Sequence, residues 1–250
     1  MNEWQGRTAV ITGGGRGFGK AFAEALCERG AHAVLVDLDG DAGQQAAVDL
    51  ASRQMSAQAL QGDVTDAARM EQVMALAAER HGGIDLLINN AGLHSDEYGQ
   101  PMRVLGLEKI RRLFDVNVMG TVTCTLASVP HMAGRAGANI VNISSMAAYL
   151  GGTAYGASKL TVAALTIAFA SELGKDGIRV NAIAPGMILT ETIKAELPEA
   201  TKAMVRGGQA LQTDGAERDI VEAMLYLSGS GARFVTGETL RVTGGLGAGV

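Results

Sequence analysis

Four side chains near the middle of the chain have the types and the spacing for moving a proton. Ser144 and Ser145 end an apolar run, and Tyr155 and Lys159 follow inside a segment with helical spacing. Residues four apart share a helix face, so the lysine would lie beside the tyrosine. A nearby ammonium group lowers the pKa of a tyrosine, which is ordinarily about 10. Such a tyrosine can exchange a proton with an alcohol oxygen, and a serine hydroxyl can hold that oxygen in place. On this stretch alone, an ordinary strand, loop and surface helix is an equally good interpretation.

The composition indicates a chain that can bury a full core and carries no surface for a polyanion. It has 250 residues, 47% of them hydrophobic, and a net charge of −5 with both signs scattered. This balance argues against nucleic acid or a membrane surface as a partner. Cys27 and Cys124 have no metal-ligand spacing, so we expect small core residues in a reducing compartment and no metal site. The N-terminus lacks a signal-peptide pattern, and the longest apolar helix is too short to span a bilayer, so we expect a soluble, cytoplasmic protein.

A glycine-rich turn near the N-terminus has the context of a phosphate-binding site. A short strand pattern at 8–12 precedes Gly13, Gly17 and Gly19, and a helical pattern at 20–29 follows. Glycines let the backbone approach a pyrophosphate, and the helix N-terminus adds free N–H donors and a positive dipole end. The spacing differs from the Gly-x-Gly-x-x-Gly of the commonest dinucleotide fold. A merely flexible turn is the weaker alternative, because a strand and a helix flank the glycines.

One acidic residue predicts which dinucleotide would bind. Asp37 ends the second strand pattern, 24 residues after Gly13. A carboxylate about 20 residues past the glycines accepts a hydrogen bond from the adenosine ribose 2′-OH, and it would repel a 2′-phosphate. Asp37 therefore favours NAD(H) over NADP(H). Arg16, within the glycine-rich turn, favours the opposite because it could meet a phosphate. A plain turn at 37–41 is the alternative role for the aspartate.

Strand and helix patterns alternate along the whole chain. This alternation predicts an α/β fold with a doubly wound parallel sheet in a single domain of residues 1–250. Further strands are predicted at 57–64, 84–89, 138–144, 178–186 and 239–242, and further helices at 41–53, 66–80 after an N-cap at Thr65 or Asp66, and 217–228. Ligands of such sheets bind at the carboxyl ends of the strands. The glycine-rich turn, Asp37, Asp63, residues 89–92 and both serines all lie there, which is the strongest argument for a site.

Two segments of the second half should shape that site. Residues 107–135 are predicted to form one long helix or two joined near Gly120, with Asn117 inside. A buried asparagine that only satisfies the backbone is as good an interpretation as a functional one. Residues 187–212 leave the carboxyl end of a strand, with a helix candidate at 191–206. Such an excursion predicts a mobile substrate lid, and an ordinary helical connection is the alternative.

The motifs together indicate a family. They are Thr12-Gly13-x3-Gly17-x-Gly19, Asn89-Asn90-Ala91-Gly92, Asn117, Ser-Ser-x9-Tyr155-x3-Lys159 and Pro185-Gly186-x3-Thr190. These motifs occur in the order and spacing of the short-chain dehydrogenase/reductase family, and the chain resembles that family from Gly6 to Gly245. Each motif is weak alone, and the ordered set is specific. The resemblance implies a three-layered, Rossmann-like fold and an oxidoreductase that uses a nicotinamide cofactor.

The resemblance also implies a role for each matching residue. Tyr155 would be the general acid/base, Lys159 would bind the nicotinamide ribose and depress the pKa of the tyrosine, and Asn117 would support a proton-relay water. The implied cofactor-binding residues are Gly13, Arg16, Gly17, Phe18, Gly19, Asp37, Leu38, Asp63, Val64, Asn90, Ala91, Gly92, Tyr155, Lys159, Pro185, Gly186, Ile188 and Thr190. Similar proteins are usually tetramers paired through the helices that correspond to 107–135 and 155–174, so a homotetramer is expected.

One departure from the family pattern concerns the substrate end. In many members the catalytic serine lies further before the tyrosine, whereas here Asn142 stands at that distance. Ser144 and Ser145 lie 11 and 10 residues before Tyr155. We interpret the difference as a shortened loop. Matching the strand end assigns the role of orienting the substrate oxygen to Ser145, with Ser144 as the alternative. Because the shorter loop should reshape the substrate pocket, substrate analogy with any one relative is unsafe.

The predicted activity is reversible hydride transfer between NAD(H) and a small-molecule secondary alcohol or ketone. Leu93, Met146, Tyr149 and residues 187–189 would make a mostly apolar pocket, which favours an apolar or cyclic substrate, and His94 could add a polar contact. One alternative is a 3-oxoacyl-carrier-protein reductase, which usually uses NADPH and needs a basic docking surface, for which Arg111 and Arg112 give thin support. Another is a non-catalytic NAD-binding protein, which the intact serine, tyrosine and lysine oppose. Nucleotide-sugar epimerases and dehydratases are disfavoured by the glycine spacing.

Overall fold

The parallel sheet that the alternating patterns predict is present. In the computed structural model, which describes residues 3–189 and 199–247, the strand order is β3-β2-β1-β4-β5-β6-β7 and every neighbouring pair is parallel. The strands are β1 (Thr8–Thr12), β2 (His32–Asp37), β3 (Ser56–Gln61), β4 (Leu86–Asn89), β5 (Asn139–Ile143), β6 (Arg179–Pro185) and β7 (Thr239–Val242). The order reverses between β1 and β4, so the carboxyl ends of these two strands flank the crevice where doubly wound sheets bind ligands.

Helices connect the strands and cover both faces of the sheet. They are α1 (Gly17–Cys27), α2 (Gly40–Ser52), α3 (Ala67–His81), α4 (Ser95–Tyr98), α5 (Met102–Leu105), α6 (Leu107–Phe114), α7 (Gly120–Met132), α8 (Ala147–Leu150), α9 (Ala154–Leu173), α10 (Glu199–Gly207) and α11 (Glu217–Ser228). A π-helical turn, Asp115–Met119, joins α6 directly to α7. The predicted helix at 107–135 is therefore one helical segment with a local widening at its centre. In the described ranges, no helix combines the length and apolarity needed to cross a membrane.

Several predicted element boundaries agree with the structure. Asp66 is the N-cap of α3, since its Oδ1 accepts a hydrogen bond from the Arg69 N–H at 3.0 Å. The predicted helix at 217–228 and strand at 239–242 are confirmed. Of the helix candidate at 191–206, residues 191–198 lie outside the described ranges, and the described part begins at Glu199.

Each face of the sheet packs against its own helices. Successive residues of a strand point to opposite faces, and in β1 Ile11 is buried with Phe22 of α1 and Met224 of α11. Val10 is buried on the other face with Met74 of α3. Because both faces are covered, β1 and β4 are buried along their whole lengths, which explains why their sequences are continuous apolar runs rather than alternating ones.

Buried side-chain hydrogen bonds hold β4 and β5 together beneath the carboxyl edge. Asn89 Nδ2 donates to Asn142 Oδ1 at 2.9 Å and to Thr125 Oγ1 at 3.1 Å. Asn142 Nδ2 in turn donates to Thr166 Oγ1 of α9 at 2.9 Å. Asn142, which stands at the distance where many family members carry the catalytic serine, is therefore part of the interior of the sheet.

A partly buried ion pair stabilises the opposite edge of the sheet. Arg135 Nε and Nη2 each lie 3.0 Å from a carboxylate oxygen of Asp85. Asp85 Oδ2 also accepts a hydrogen bond from the Thr8 N–H at 2.8 Å. The aspartate is buried, so the guanidinium is what compensates its charge. The ion pair thus stabilises the amino-terminal edge of the sheet, opposite the carboxyl edge where the candidate site residues lie.

Candidate active site

The glycine-rich turn is shaped so that only glycine fits at its key positions. Gly13 and Gly17 have φ of +63° and +49°, values that L side chains rarely adopt. A Cβ at Gly13 would lie 3.0 Å from Ala91 Cα, and a Cβ at Gly19 would lie 2.0 Å from the Gly13 carbonyl oxygen. Helix α1 begins within the turn at Gly17, and its N-cap residue, Arg16, makes no side-chain capping hydrogen bond. The first N–H groups of α1 are left to other acceptors.

Asn90 fastens the glycine-rich turn to the end of β4. Its Nδ2 donates to the carbonyl oxygens of Thr12 and Gly13, both at 3.0 Å. In return, Thr12 Oγ1 accepts hydrogen bonds from the N–H groups of Asn90 and Ala91, both at 3.1 Å. The Asn90 side chain thus acts within the protein, and it positions the turn at the crevice between β1 and β4.

The two predicted acidic residues lie beyond the turn. Asp37 Oδ2 accepts a hydrogen bond from the Gly15 N–H at 2.9 Å, and its Oδ1 accepts one from the Asp39 N–H at 3.0 Å. Its carboxylate is therefore oriented by the backbone on both sides. Asp63 Oδ1 accepts from the N–H and the hydroxyl of Thr65, at 2.9 and 2.8 Å. The next residue, Val64, is buried, and its Cγ2 would lie 2.6 Å from a Cβ at Gly120.

These residues line a single cleft of about 1590 Å³. Of the predicted cofactor-binding residues, the cleft brings together Gly13, Arg16, Gly17, Phe18, Asp37, Leu38, Asp63, Val64, Asn90, Ala91 and Gly92. The cleft is also lined by residues that the sequence patterns did not identify, among them Asp39, Glu97, Tyr98, Lys109, Asp115, Val116 and Met119. The last three lie at helical spacing on one face, a signal that could have placed α6 and the π-helical turn over the cleft.

The two serines occupy different environments. Ser144 is buried, and its Oγ donates to the Lys159 carbonyl oxygen at 2.8 Å. Ser145 is partly exposed, and its Oγ accepts a hydrogen bond from the Ala147 N–H at 3.2 Å. The Ser144 hydroxyl is therefore used inside the protein. The Ser145 hydroxyl hydrogen has no acceptor among the described residues and could be donated to a substrate oxygen.

Tyr155 and Lys159 lie on consecutive turns of α9. Thr153 begins the helix, since its Oγ1 accepts a hydrogen bond from the Gly156 N–H at 3.0 Å. Lys159 Nζ lies 6.0 Å from the centroid of the Tyr155 ring and donates to the Ile143 carbonyl oxygen at 2.8 Å. The lysine is buried, and this desolvation lowers the pKa of Lys159 to about 8. A buried amine that titrates this close to neutrality is typical of functional sites.

Asn117 connects the loop after β4 to α9. Its Oδ1 accepts from the Leu93 N–H at 2.7 Å, and its Nδ2 donates to Ser158 Oγ at 3.2 Å. Ser158 Oγ donates in turn to the Tyr155 carbonyl oxygen at 2.7 Å. A Cβ at Gly92 would lie 3.1 Å from Asn117 Oδ1 and 3.3 Å from Lys159 Nζ. Gly92 thus joins the cleft to the lysine, and Asn117 determines where the loop after β4 lies.

The segment after β6 lies beside the last strand. The Gly186 N–H donates to the Val242 carbonyl oxygen at 2.8 Å, and a Cβ at Gly186 would lie 2.8 Å from Thr243 Cα. Ile188 is buried and lines a second, smaller cavity of about 350 Å³ with residues of the segment 209–215. Pro185 is the buried end of β6. Thr190, the remaining predicted residue, lies outside the described ranges.

Other ionisable side chains of the described ranges do not form a metal site. No group of three or more histidine, cysteine, aspartate or glutamate side chains in residues 3–189 and 199–247 could hold a metal ion. Cys27 and Cys124 are both buried and unpaired, and burial raises the pKa of Cys124 to about 12. Neither thiol is a reactive group at neutral pH.

Comparison with known proteins identifies the family. A family model described as short chain dehydrogenase matches residues 7–201, and the chain belongs to the short-chain dehydrogenase/reductase family. The resemblance and the Rossmann-like fold that it implied are therefore confirmed. Members of this family are oxidoreductases, and the relatives of this chain include a dehydrogenase that acts on a CH–OH group.

Individual relatives carry different activities. A 3-oxoacyl-[acyl-carrier-protein] reductase of Vibrio cholerae is 33% identical, over 97% of this chain and 98% of its own. A 7alpha-hydroxysteroid dehydrogenase of Bacteroides fragilis is 29% identical, over 98% and 96%. Among solved structures, a protein of Haemophilus influenza provisionally assigned as a D-mannonate oxidoreductase, with bound NAD, has a TM-score of 0.92 at 27% identity and covers 98% of this chain and 96% of its own. These relatives are named for different substrates, so the similarity shows the family and the fold of this chain but not its substrate.

Proposed function

We propose that this chain is an NAD(H)-dependent oxidoreductase that transfers a hydride between nicotinamide and a secondary alcohol or ketone. The observation that carries the proposal is the placement of Tyr155 beside the buried Lys159, with Ser145 partly exposed at the end of β5. A proton donor, a cation that tunes it and a hydroxyl that can hold an oxygen are thus supplied by two adjacent elements. That combination suits an alcohol/carbonyl interconversion.

The residues of the cleft fit a dinucleotide. Close packing of Gly13 and Gly19 against neighbouring atoms fixes the shape of the glycine-rich turn. A Cβ at Gly17 would meet no atom within 4 Å, so the backbone there is open and a pyrophosphate could lie directly against it. The uncapped start of α1 offers N–H donors and a positive dipole end for its charge. A cleft of about 1590 Å³ exceeds the several hundred Å³ that one small ligand needs, so it has space for a dinucleotide. Pro185 and Ile188 are expected near its nicotinamide end, and Thr190, the third residue that the resemblance implies there, lies outside the described residues.

The chain's own residues would manage the proton. When bound, the nicotinamide would supply the hydride acceptor or donor. In the direction of oxidation, Tyr155 would take the hydroxyl proton of the substrate while Ser145 holds the same oxygen by a hydrogen bond. Lys159 would favour the phenolate form of the tyrosine through its positive charge. Asn117 would keep the loop after β4 in place through its hydrogen bonds to Leu93.

The preference for NAD(H) rests on Asp37. Its carboxylate is held at the end of β2 by two backbone N–H groups, and each oxygen keeps a lone pair that could accept from a ribose hydroxyl. A 2′-phosphate at this position would face a fixed negative charge. The relative of known structure with bound NAD supports a nicotinamide cofactor in general, and Asp37 is the reason to expect the form without the phosphate.

The substrate is expected to be apolar or cyclic. Leu93 packs on the same apolar cluster as Tyr155, and we expect Tyr149, Met187 and Leu189 to add further apolar surface to the substrate pocket. The described part of the segment 187–212 includes α10 and is proposed to act as a lid over that pocket. A 3-oxoacyl-carrier-protein reductase is the second candidate, because Arg111 and Arg112 are exposed on α6 and line the cleft, where an acidic carrier could dock.

A homotetramer in the cytoplasm is the proposed working form. Leu126 on α7 and Leu160 and Ile167 on α9 are large apolar side chains with at least half of their surface exposed. Apolar surface of this kind is typical of faces that pair with another subunit. The buried, unpaired Cys27 and Cys124 support a reducing compartment.

A titration tests the cofactor part of the proposal. Purified protein is titrated with NADH and with NADPH, and the fluorescence of the bound cofactor is followed. We expect tight NADH binding, weak NADPH binding, and a loss of that preference in Asp37→Asn, which keeps the shape of the side chain. Screening of secondary alcohols with NAD then follows. Tighter binding of NADPH would favour the carrier-protein reductase, and binding of neither would favour a non-enzymatic protein.

A further inference from the structure

An ion pair spans the mouth of the cleft beside Asp37. Arg16 Nη2 of the glycine-rich turn lies 2.5 Å from Asp39 Oδ2, in the loop after β2. Both residues line the cleft together with Asp37 and Leu38. The pair is exposed, with 72% of the arginine side chain and 49% of the aspartate side chain accessible. It therefore lies where the adenosine ribose of a dinucleotide would be.

The aspartate of this pair is held more firmly than the arginine. Asp39 Oδ1 accepts a hydrogen bond from the Ala42 N–H at 3.1 Å and so caps α2. The Asp39 N–H donates to Asp37 Oδ1 at 3.0 Å. One carboxylate oxygen of Asp39 is thus fixed as a helix cap, and the other faces Arg16. The guanidinium is drawn to the side of the cleft by a partner that cannot move away without uncapping a helix.

We propose that Asp39 is a specificity-determining residue for the cofactor, because it holds Arg16 in an ion pair and withholds it from the 2′-phosphate of NADP. Arginine is the side chain best suited to bind a phosphate, through a charge-assisted and often bidentate contact. Without Asp39, Arg16 could make that contact and offset the repulsion from Asp37. The inference rests on the proposed function, since it assumes that the cleft binds a nicotinamide dinucleotide.

The expected size of the effect follows from the exposure of the pair. Exposed ion pairs stabilise a structure only weakly, and their loss corresponds to at most about fivefold in an equilibrium constant. Asp39→Asn keeps the cap, since asparagine caps helices as well as aspartate does, and keeps the backbone hydrogen bond to Asp37. We therefore expect Asp39→Asn to bind NADPH about threefold to fivefold more tightly than the wild type. Its NADH affinity should change by less than about twofold.

A double-mutant cycle separates release of Arg16 from simple loss of negative charge. The dissociation constants of NADH and NADPH are measured by cofactor fluorescence for wild type, Arg16→Ala, Asp39→Asn and the double variant, at one fixed salt concentration. Asp49→Asn is the matched control. It breaks the Lys20–Asp49 pair, which links α1 to α2 at 2.6 Å and is also partly exposed, with 36% of the lysine and 42% of the aspartate side chain accessible. Neither Lys20 nor Asp49 is among the described residues that line the cleft.

The proposal predicts that Asp39→Asn tightens NADPH binding only when Arg16 is present, and that Asp49→Asn leaves both constants unchanged. An equal gain in the Arg16→Ala background would overturn it, because the effect would then be plain charge repulsion. An unchanged ratio of the two constants in Asp39→Asn would also overturn it. Failure of the wild type to bind either dinucleotide would refute the proposed function itself, and this inference with it.

Discussion

Replacing Lys159 by methionine should stabilise the cofactor-free protein at neutral pH, and the gain should vanish as the pH rises. Burial lowers the pKa of Lys159 from 10.5 to about 8. Between these two pH values the unfolded chain binds more protons than the folded one, so the stability of the wild type rises with pH. Below pH 8 the folded protein carries the full penalty of a buried cation, which amounts to about 3 kcal/mol.

The hydrogen bonding of the lysine reduces that gain. Lys159 Nζ donates to the Ile143 carbonyl oxygen at 2.8 Å, and methionine would leave this buried acceptor without its partner at a cost of about 1 kcal/mol. The net prediction is that Lys159→Met is more stable than the wild type by about 2 kcal/mol at pH 7. Near pH 10 the two proteins should be about equally stable, because the wild-type lysine is then neutral in the folded state.

Urea unfolding at several pH values between 7 and 10 measures this difference. Both proteins should also be compared in a Tyr155→Phe background, so that titration of the phenol makes no contribution. Lys175→Met, which removes an exposed lysine on the turn after α9, is the control and should show no such convergence. If the wild type is the more stable protein at pH 7, or if the two stability curves stay parallel up to pH 10, Lys159 is not desolvated as the structure indicates.

Three further experiments test the catalytic serine, the Asp85–Arg135 ion pair and the glycine-rich turn separately. Ser145→Ala should lower kcat/KM about 100-fold or more by removing the hydrogen bond to the substrate oxygen, whereas Ser144→Ala should mainly lower stability by about 1 kcal/mol; steady-state rates and urea unfolding distinguish the two. Arg135→Ala should destabilise the protein by about 3 to 5 kcal/mol because it leaves a buried carboxylate without its partner, and a loss below 1 kcal/mol in urea would contradict this. Gly19→Ala should abolish NADH binding in a fluorescence titration, while Gly174→Ala, whose Cβ would enter open space, should not.

The order and type of the major elements were predictable from the sequence because each depends on a local pattern. The strand at 8–12, the glycine-rich turn and α1 follow one another with strand and helix periodicities, and the structure has them at Thr8–Thr12 and Gly17–Cys27. The same holds for α11 and β7. The short helices α4, α5 and α8 carry too few residues for any periodicity, and no helix was predicted there.

Side-chain partners were less predictable, because they join residues far apart in the chain. The sequence spacing did not decide whether Ser144 or Ser145 is the catalytic serine. The hydrogen bond from Ser144 to the Lys159 carbonyl oxygen distinguishes them, because it uses the Ser144 hydroxyl inside the protein. Asn117 was placed in a helix, but the π-helical turn around it depends on how α6 and α7 pack. The pairing of Arg16 with Asp39 spans 23 positions, a separation at which no local pattern in the sequence indicates a contact.

The central claim is that Tyr155 is the proton donor and acceptor of a hydride-transfer reaction. The most direct measurement compares the turnover of a secondary alcohol with NAD by wild type, Tyr155→Phe and the control Tyr226→Phe, whose ring is exposed on α11, while NADH binding is followed in parallel. The account predicts that Tyr155→Phe loses about 100-fold or more in kcat and still binds NADH, and that Tyr226→Phe matches the wild type. An unchanged rate in Tyr155→Phe would contradict it.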